Sequence, residues 1–133
     1  MRNGAKLISF FGVVFFLLAQ SAVAQNRAPA KEACENAKTQ LEMNECADAA
    51  YRAADKELNA YYASLKEKLE ANLVAKLQAA QRAWIGYRDA NCEAEAALYE
   101  GGSIQPTIRS NCMERLTRAR LEELHTIYDT GDR

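Results

Sequence analysis

The chain has a single histidine, two prolines and no Cys-x-x-Cys pair. His125 is distant in sequence from every cysteine, so neither a mixed Cys/His zinc site nor a thiol redox centre finds its usual spacing. No metal and no other cofactor is expected. No segment alternates apolar and polar residues as a strand does, and no solenoid-length repeat or low-complexity linker occurs. A basic excess is missing as well: 17 Lys+Arg face 18 Asp+Glu. Nucleic acid is therefore not expected as a partner, because phosphate binding needs a positive surplus or stripe. The run from Leu7 to Leu18 is too short to span a bilayer comfortably.

That run reads instead as the core of an export signal. Arg2 and Lys6 precede it, and Ala22-Val23-Ala24 is a small-x-small cleavage site before Gln25. An uncleaved anchor is the alternative. The expected organisation is a signal peptide over 1–24, a leader over 25–38 containing Pro29, and a single domain over 39–129. The residue directly after the cleavage site is Gln25 and not a cysteine, so no stable membrane anchor is expected after cleavage, and the expected location is periplasmic or secreted. Removing Arg2 and Lys6 from the 17 basic residues leaves 15 against 18 acids, a net charge near −3. Four cysteines in an exported chain read as two disulfides.

The mature chain reads as three amphipathic helices. Thr39-x-x-Glu42 is a capping box, followed by Met43, Ala47, Ala50, Ala54, Leu58, Tyr61, Leu65 and Leu69 at steps of three or four. Asn72 is a plausible cap for a second helix carrying Leu73, Leu77, Ala80, Trp84, Tyr87, Ala94 and Leu98, with Gly101-Gly102 as its end. Gly86 inside it predicts either a close helix approach or a position without constraint. Ser103 or Thr107 would cap a third helix through Ile108, Cys112, Leu116, Ala119, Leu124 and Tyr128. The fold class is all-α: three antiparallel helices in a small disulfide-stapled bundle.

The segment Gln81 to Cys92 organises the rest. It contains the only Trp, and Trp84, Arg88 and Cys92 lie at steps of four on one helical side. Residues at one level of an antiparallel pair have numbers with a constant sum. About 143 for the first two helices brings Asp55 to Arg88, Asn59 to Trp84 and Tyr62 to Gln81. About 204 for the last two brings Cys92 to Cys112, Glu95 to Arg109 and Arg120 over Trp84. Cys34 and Cys46 then pair by elimination, although spacing leaves Cys34 free to reach Cys92 or Cys112. The group Asp55, Asn59, Tyr62, Gln81, Trp84, Arg88 and Arg120 reads first as a structural network, since it holds no nucleophile–base pair and no His. Removing Asp55 is expected to strand a buried Arg88 at a cost of several kcal/mol.

Four blocks are similar to one known family. Cys34 with Thr39-Gln40-x-Glu42-Met43-Asn44-x-Cys46-Ala47 resembles the opening signature of the LprI-type lysozyme inhibitors. Ala54-Asp55-x-x-Leu58-Asn59-x-x-Tyr62 resembles the second block, and Gln81-x-x-Trp84-Ile85-x-Tyr87-Arg88-Asp89-Ala90-x-Cys92 the third and most specific. Gly101-Gly102-Ser103 and Cys112-x-x-x-x-Thr117-x-x-Arg120-x-x-x-Leu124 resemble the last. The resemblance implies a small, helical, disulfide-bonded, exported bacterial domain. For the namesake type it implies inhibition of host-type lysozyme at the bacterial surface. That namesake is a lipoprotein, whereas this chain has no lipobox cysteine.

The expected function is therefore a non-enzymatic binding protein whose partner is a protein, with a c-type lysozyme the first candidate. A lysozyme cleft carries two carboxylates. Gly101, Gly102, Ser103, Ile104 and Gln105 form a candidate partner-binding loop, with Ser103 able to donate to a carboxylate. Glu93, Glu95 and Glu100 near that tip are expected to attract a cationic enzyme. An ordinary interhelical turn is the plain alternative for the loop. The alternative function is envelope interaction, or immunity against another wall-degrading enzyme or toxin.

Overall fold

The computed structural model describes residues 34–129. The signal peptide read over 1–24 and most of the leader lie outside them. Three helices follow in order: α1 over Gln40–Lys68, α2 over Ala71–Ala97 and α3 over Gln105–Tyr128. No strand occurs among the described residues.

Successive helices run antiparallel, so α1 and α3 run parallel. Gln40, at the start of α1, bonds Thr107 near the start of α3, and Tyr61 bonds Asp129 just past its end. α3 packs closely along both other helices, while the α1 and α2 backbones approach each other little. The third helix, last in sequence, is thus the one around which the other two assemble.

Local sequence sets the first boundary as expected. Thr39 takes extended backbone geometry, its hydroxyl accepts from the Glu42 amide, and the Glu42 carboxylate accepts from the Thr39 amide. Lys66 and Lys68 sit in the last turn, where the helix dipole favours cations. The other boundaries differ from expectation. α2 starts at Ala71 after Glu70, and the Asn72 side chain accepts from its neighbour Leu73 instead of capping the helix. α2 also ends at Ala97, ahead of the two glycines; Gly101 supplies the positive φ of +77° within the turn that follows. Neither Ser103 nor Thr107 caps α3. Its N-cap is Ile104, with Pro106 in the first turn, where a missing amide costs nothing.

The core has two parts. Leu58, Leu65, Leu77 and Leu124 form a leucine cluster, with Trp84, Tyr61, Tyr62 and Leu121 packed around it. Each fully buried leucine contributes about 1.5–3 kcal/mol. The second part centres on Cys92, Cys112 and Met113, flanked by Tyr51 and Leu116. The disulfides are Cys34–Cys46 and Cys92–Cys112, each with Cα atoms 5.4 Å apart. Both match the pairing reached from register and elimination, and the alternatives for Cys34 fall away.

The apolar stripe expected on α2 needs correction. Leu73, Ala80, Tyr87, Ala94 and Leu98 are exposed, and the buried residues are Leu77, Gln81, Arg88, Cys92 and Ala96. Two of those five are polar, so the buried face could not be recognised by hydrophobicity. Gly86 marks no close approach: a side chain added there would meet nothing within 4 Å.

Candidate functional site

Arg88 is the centre of the first candidate site. Its residue is only 6 % exposed, although it carries a full charge. Nη1 donates to Asp55 Oδ1 at 3.2 Å and to the Thr117 hydroxyl at 3.4 Å, while Nε donates to Asp89 Oδ1 at 2.9 Å. The guanidinium lies 5.1 Å from the Trp84 ring centroid and 5.5 Å from that of Tyr51. One cation is thus held by two carboxylates, a hydroxyl and two aromatic faces contributed by all three helices. A buried charge is tolerable only with this degree of compensation.

The other members of the expected network are distributed differently. Asn59 donates to Asp55 at 2.9 Å along α1, in place of the expected meeting with Trp84. Gln81 accepts from Arg120 Nε at 3.2 Å, so its carbonyl serves α3 and not Tyr62. Tyr62 packs against the leucine cluster with Lys66 over its ring. Arg120 lies 6.0 Å from the Trp84 centroid, as the register predicted, and also pairs with Glu123. Thr117, fully buried, was missed. The register arithmetic contained it, because 88 and 117 sum to 205, but threonine carries no charge to draw attention. Tyr51 was missed for the same want of charge, and Asp89, although charged and adjacent to Arg88, was missed because the register compares residues on different helices only.

No hydrogen bond within this group pairs a nucleophile with a base. All four described cysteines are in disulfides, and no cluster of metal-holding side chains occurs among the described residues. Burial pushes the Tyr51 phenol up, against the opposing pull of Arg88. The remaining shifts lie elsewhere. Two backbone amides and the Thr39 hydroxyl hold the Glu42 carboxyl below its usual range. Tyr61 is pushed up to about 12 by burial and by its hydrogen bond to Asp129, whose own carboxyl is lowered by that bond and by His125. His125 also stacks on the Tyr61 ring, 3.7 Å between centroids.

The second candidate site is the α2–α3 turn at the opposite end from Tyr61. Gly101, Gly102, Ser103 and Ile104 are exposed and Gln105 is half-buried. Beside them Leu98 is 81 % exposed and Tyr99 44 %. Leu98, expected to close the apolar series of the second helix, is a turn residue, as is Tyr99. The turn is anchored to α1: Asn44 Nδ2 donates to the Ser103 carbonyl at 3.3 Å, Gln40 Nε2 donates to the Thr107 hydroxyl at 3.0 Å, and that hydroxyl donates to Asn44 Oδ1. The acids near the tip are not equivalent. Glu93 pairs with Arg109 and Glu95 with Arg115, correcting the expected Glu95–Arg109 contact. Glu100 forms no ion pair among the described residues.

No helix among the described residues is long and apolar enough to cross a membrane. An uncharacterized protein of Rhizobium meliloti (strain 1021) is 36 % identical over an alignment of 145 positions that spans 99 % of each chain. No solved structure matches significantly. A family model described as lysozyme inhibitor LprI matches residues 30–124, a span that takes in both disulfides, the Arg88 network and the exposed turn. The chain belongs to the LprI lysozyme inhibitor family.

Proposed function

We propose that this protein is exported and inhibits a lysozyme by binding, with the α2–α3 turn as the element that meets the enzyme. The carrying observation is the exposure of Leu98, Tyr99 and Ile104 around a glycine turn. Water-facing apolar side chains of this size, gathered on one short turn, suit burial against a partner. Gly101 and Gly102 let a backbone approach a cleft closely, and the exposed Ser103 can donate to one of the carboxylates there. The two disulfides suit an oxidising compartment, which supports the periplasmic or secreted location. The Arg88 network serves to hold the three helices and takes no part in binding.

Replacing Ser103 and Gln105 together by Ala tests the turn. Inhibition of a c-type lysozyme should weaken about tenfold, the effect of losing a modest hot spot. Inhibition unchanged by that pair would place the contact elsewhere. Capture of a different wall-degrading enzyme, with lysozyme untouched, would favour an immunity role.

A further inference from the structure

The turn is not alone at its end of the bundle. The first turn of α1 is fastened to it through the Asn44–Ser103, Gln40–Thr107 and Thr107–Asn44 hydrogen bonds. Leu41, in that first turn, is 66 % exposed. At about 100° per residue it lies within about 40° of Asp55 around the helix axis. Asp55 is the α1 residue that reaches α2. Leu41 therefore stands on the α2 side of α1, the side on which the Leu98–Ile104 turn begins.

Charge is also concentrated here. Residues 34–48 and 93–109 hold seven Asp and Glu against Lys38 and Arg109; counting Arg52 and Arg115, which pair with Asp48 and Glu95 from just outside those spans, the balance is −3, whereas the whole chain carries −1. Arg109 is already engaged by Glu93. Glu45 and Glu100 are exposed and form no ion pair among the described residues. Exposed apolar side chains inside an acidic rim fit a basic protein: burial supplies affinity, and the rim supplies orientation and speed of encounter.

We propose that the start of α1 and the α2–α3 turn form one docking face for a cationic protein. Leu41, Leu98, Tyr99 and Ile104 are its apolar anchors, and Glu45 and Glu100 its acidic rim. Gln40, Asn44 and Thr107 are positioning residues that hold its two halves in register. This deepens, and rests on, the reading of the turn as a lysozyme-binding element.

Titration of the oxidised protein into a cationic c-type lysozyme separates the two claims. Ile104→Ser probes the turn, and Leu41→Ser probes α1; both positions are exposed, so helicity should be retained. Each should weaken binding about tenfold. Reversing Glu45 and Glu100 together to Lys should slow association and flatten its dependence on salt. Thr107→Val should weaken binding while helicity is unchanged. If Ile104→Ser weakens binding but Leu41→Ser and the charge reversal match the parent, the face is confined to the turn and the inference fails alone. A folded parent protein that does not bind the lysozyme overturns both.

Discussion

Arg88 on α2 and Thr117 on α3 share a hydrogen bond of 3.4 Å that is shut away from water. Together with the Arg88–Asp55 contact to α1 it joins all three helices at one guanidinium. The sequence alone suggested that losing Asp55 would strand this charge. Asp89 prevents that, at 2.9 Å from Nε. Asp55→Ala should therefore cost about 1–2 kcal/mol, the low end of what a hydrogen bond to a charged group contributes, because the Asp55 side chain is partly exposed. Removing Asp55 and Asp89 together should cost about 3–5 kcal/mol, because an uncompensated buried charge remains. Urea titrations of the two variants measure both values, and equal losses would mean that Asp89 gives no support.

Two glycines should respond in opposite directions to the same substitution. Gly86 is exposed in mid-helix with open space around it, so Gly86→Ala should stabilise by about 1 kcal/mol. Gly101 has φ +77°, and Gly101→Ala should destabilise by about 1 kcal/mol or more. Thermal unfolding followed by circular dichroism reads both.

The disulfides differ in placement. Cys92–Cys112 is wholly buried and staples α2 to α3. Replacing both by Ala should cost about 3 kcal/mol from loop entropy, plus the loss of packing. Cys34–Cys46 is half-buried and ties the segment before α1 to its second turn. The corresponding pair of substitutions should leave the leucine cluster folded, with near-parental helicity in circular dichroism.

Alkaline stability should depend on Tyr61. Its phenol is pushed up to about 12 from 10.0, so its contribution is present below pH 10 and is lost as pH rises toward about 12. Asp129 acts at the other extreme: its lowered carboxyl favours the fold above the usual carboxylate range and ceases to do so as pH falls through its folded value. Tyr61→Phe should reduce the slope of stability against pH above pH 10 and remove one cause of the low Asp129 value. An unchanged alkaline slope would show that the phenol ionises freely in the folded protein.

Legibility in the sequence followed the range of the interaction. The Thr39 capping box is contained within four residues and could be read directly. The starts of α2 and α3 could not, because Asn72 and Thr107 had competing partners, the latter on another helix. Register between α2 and α3 was recoverable from the Gly101-Gly102 turn, and it placed Cys92 opposite Cys112. It failed for Glu95 and Arg109, whose long exposed arms choose among several partners. The α1–α2 register gave Asp55–Arg88, while the hydrogen bonds expected of Asn59 and Gln81 across that seam go to Asp55 and Arg120 instead, both helices packing more on α3 than on each other. The exposed tip was only half legible: glycines announced the turn, but nothing local showed that α2 stops at Ala97 and leaves Leu98 in water.

The central claim is inhibition by binding, and the direct measurement is peptidoglycan lysis by a c-type lysozyme in the presence of the oxidised, folded protein at physiological salt. Lysis suppressed at equimolar protein, with suppression weakened by Ile104→Ser, is the result expected. Undiminished lysis at that ratio would contradict the claim, leaving the helical fold and its Arg88 network intact and the partner to be sought among other enzymes of the envelope.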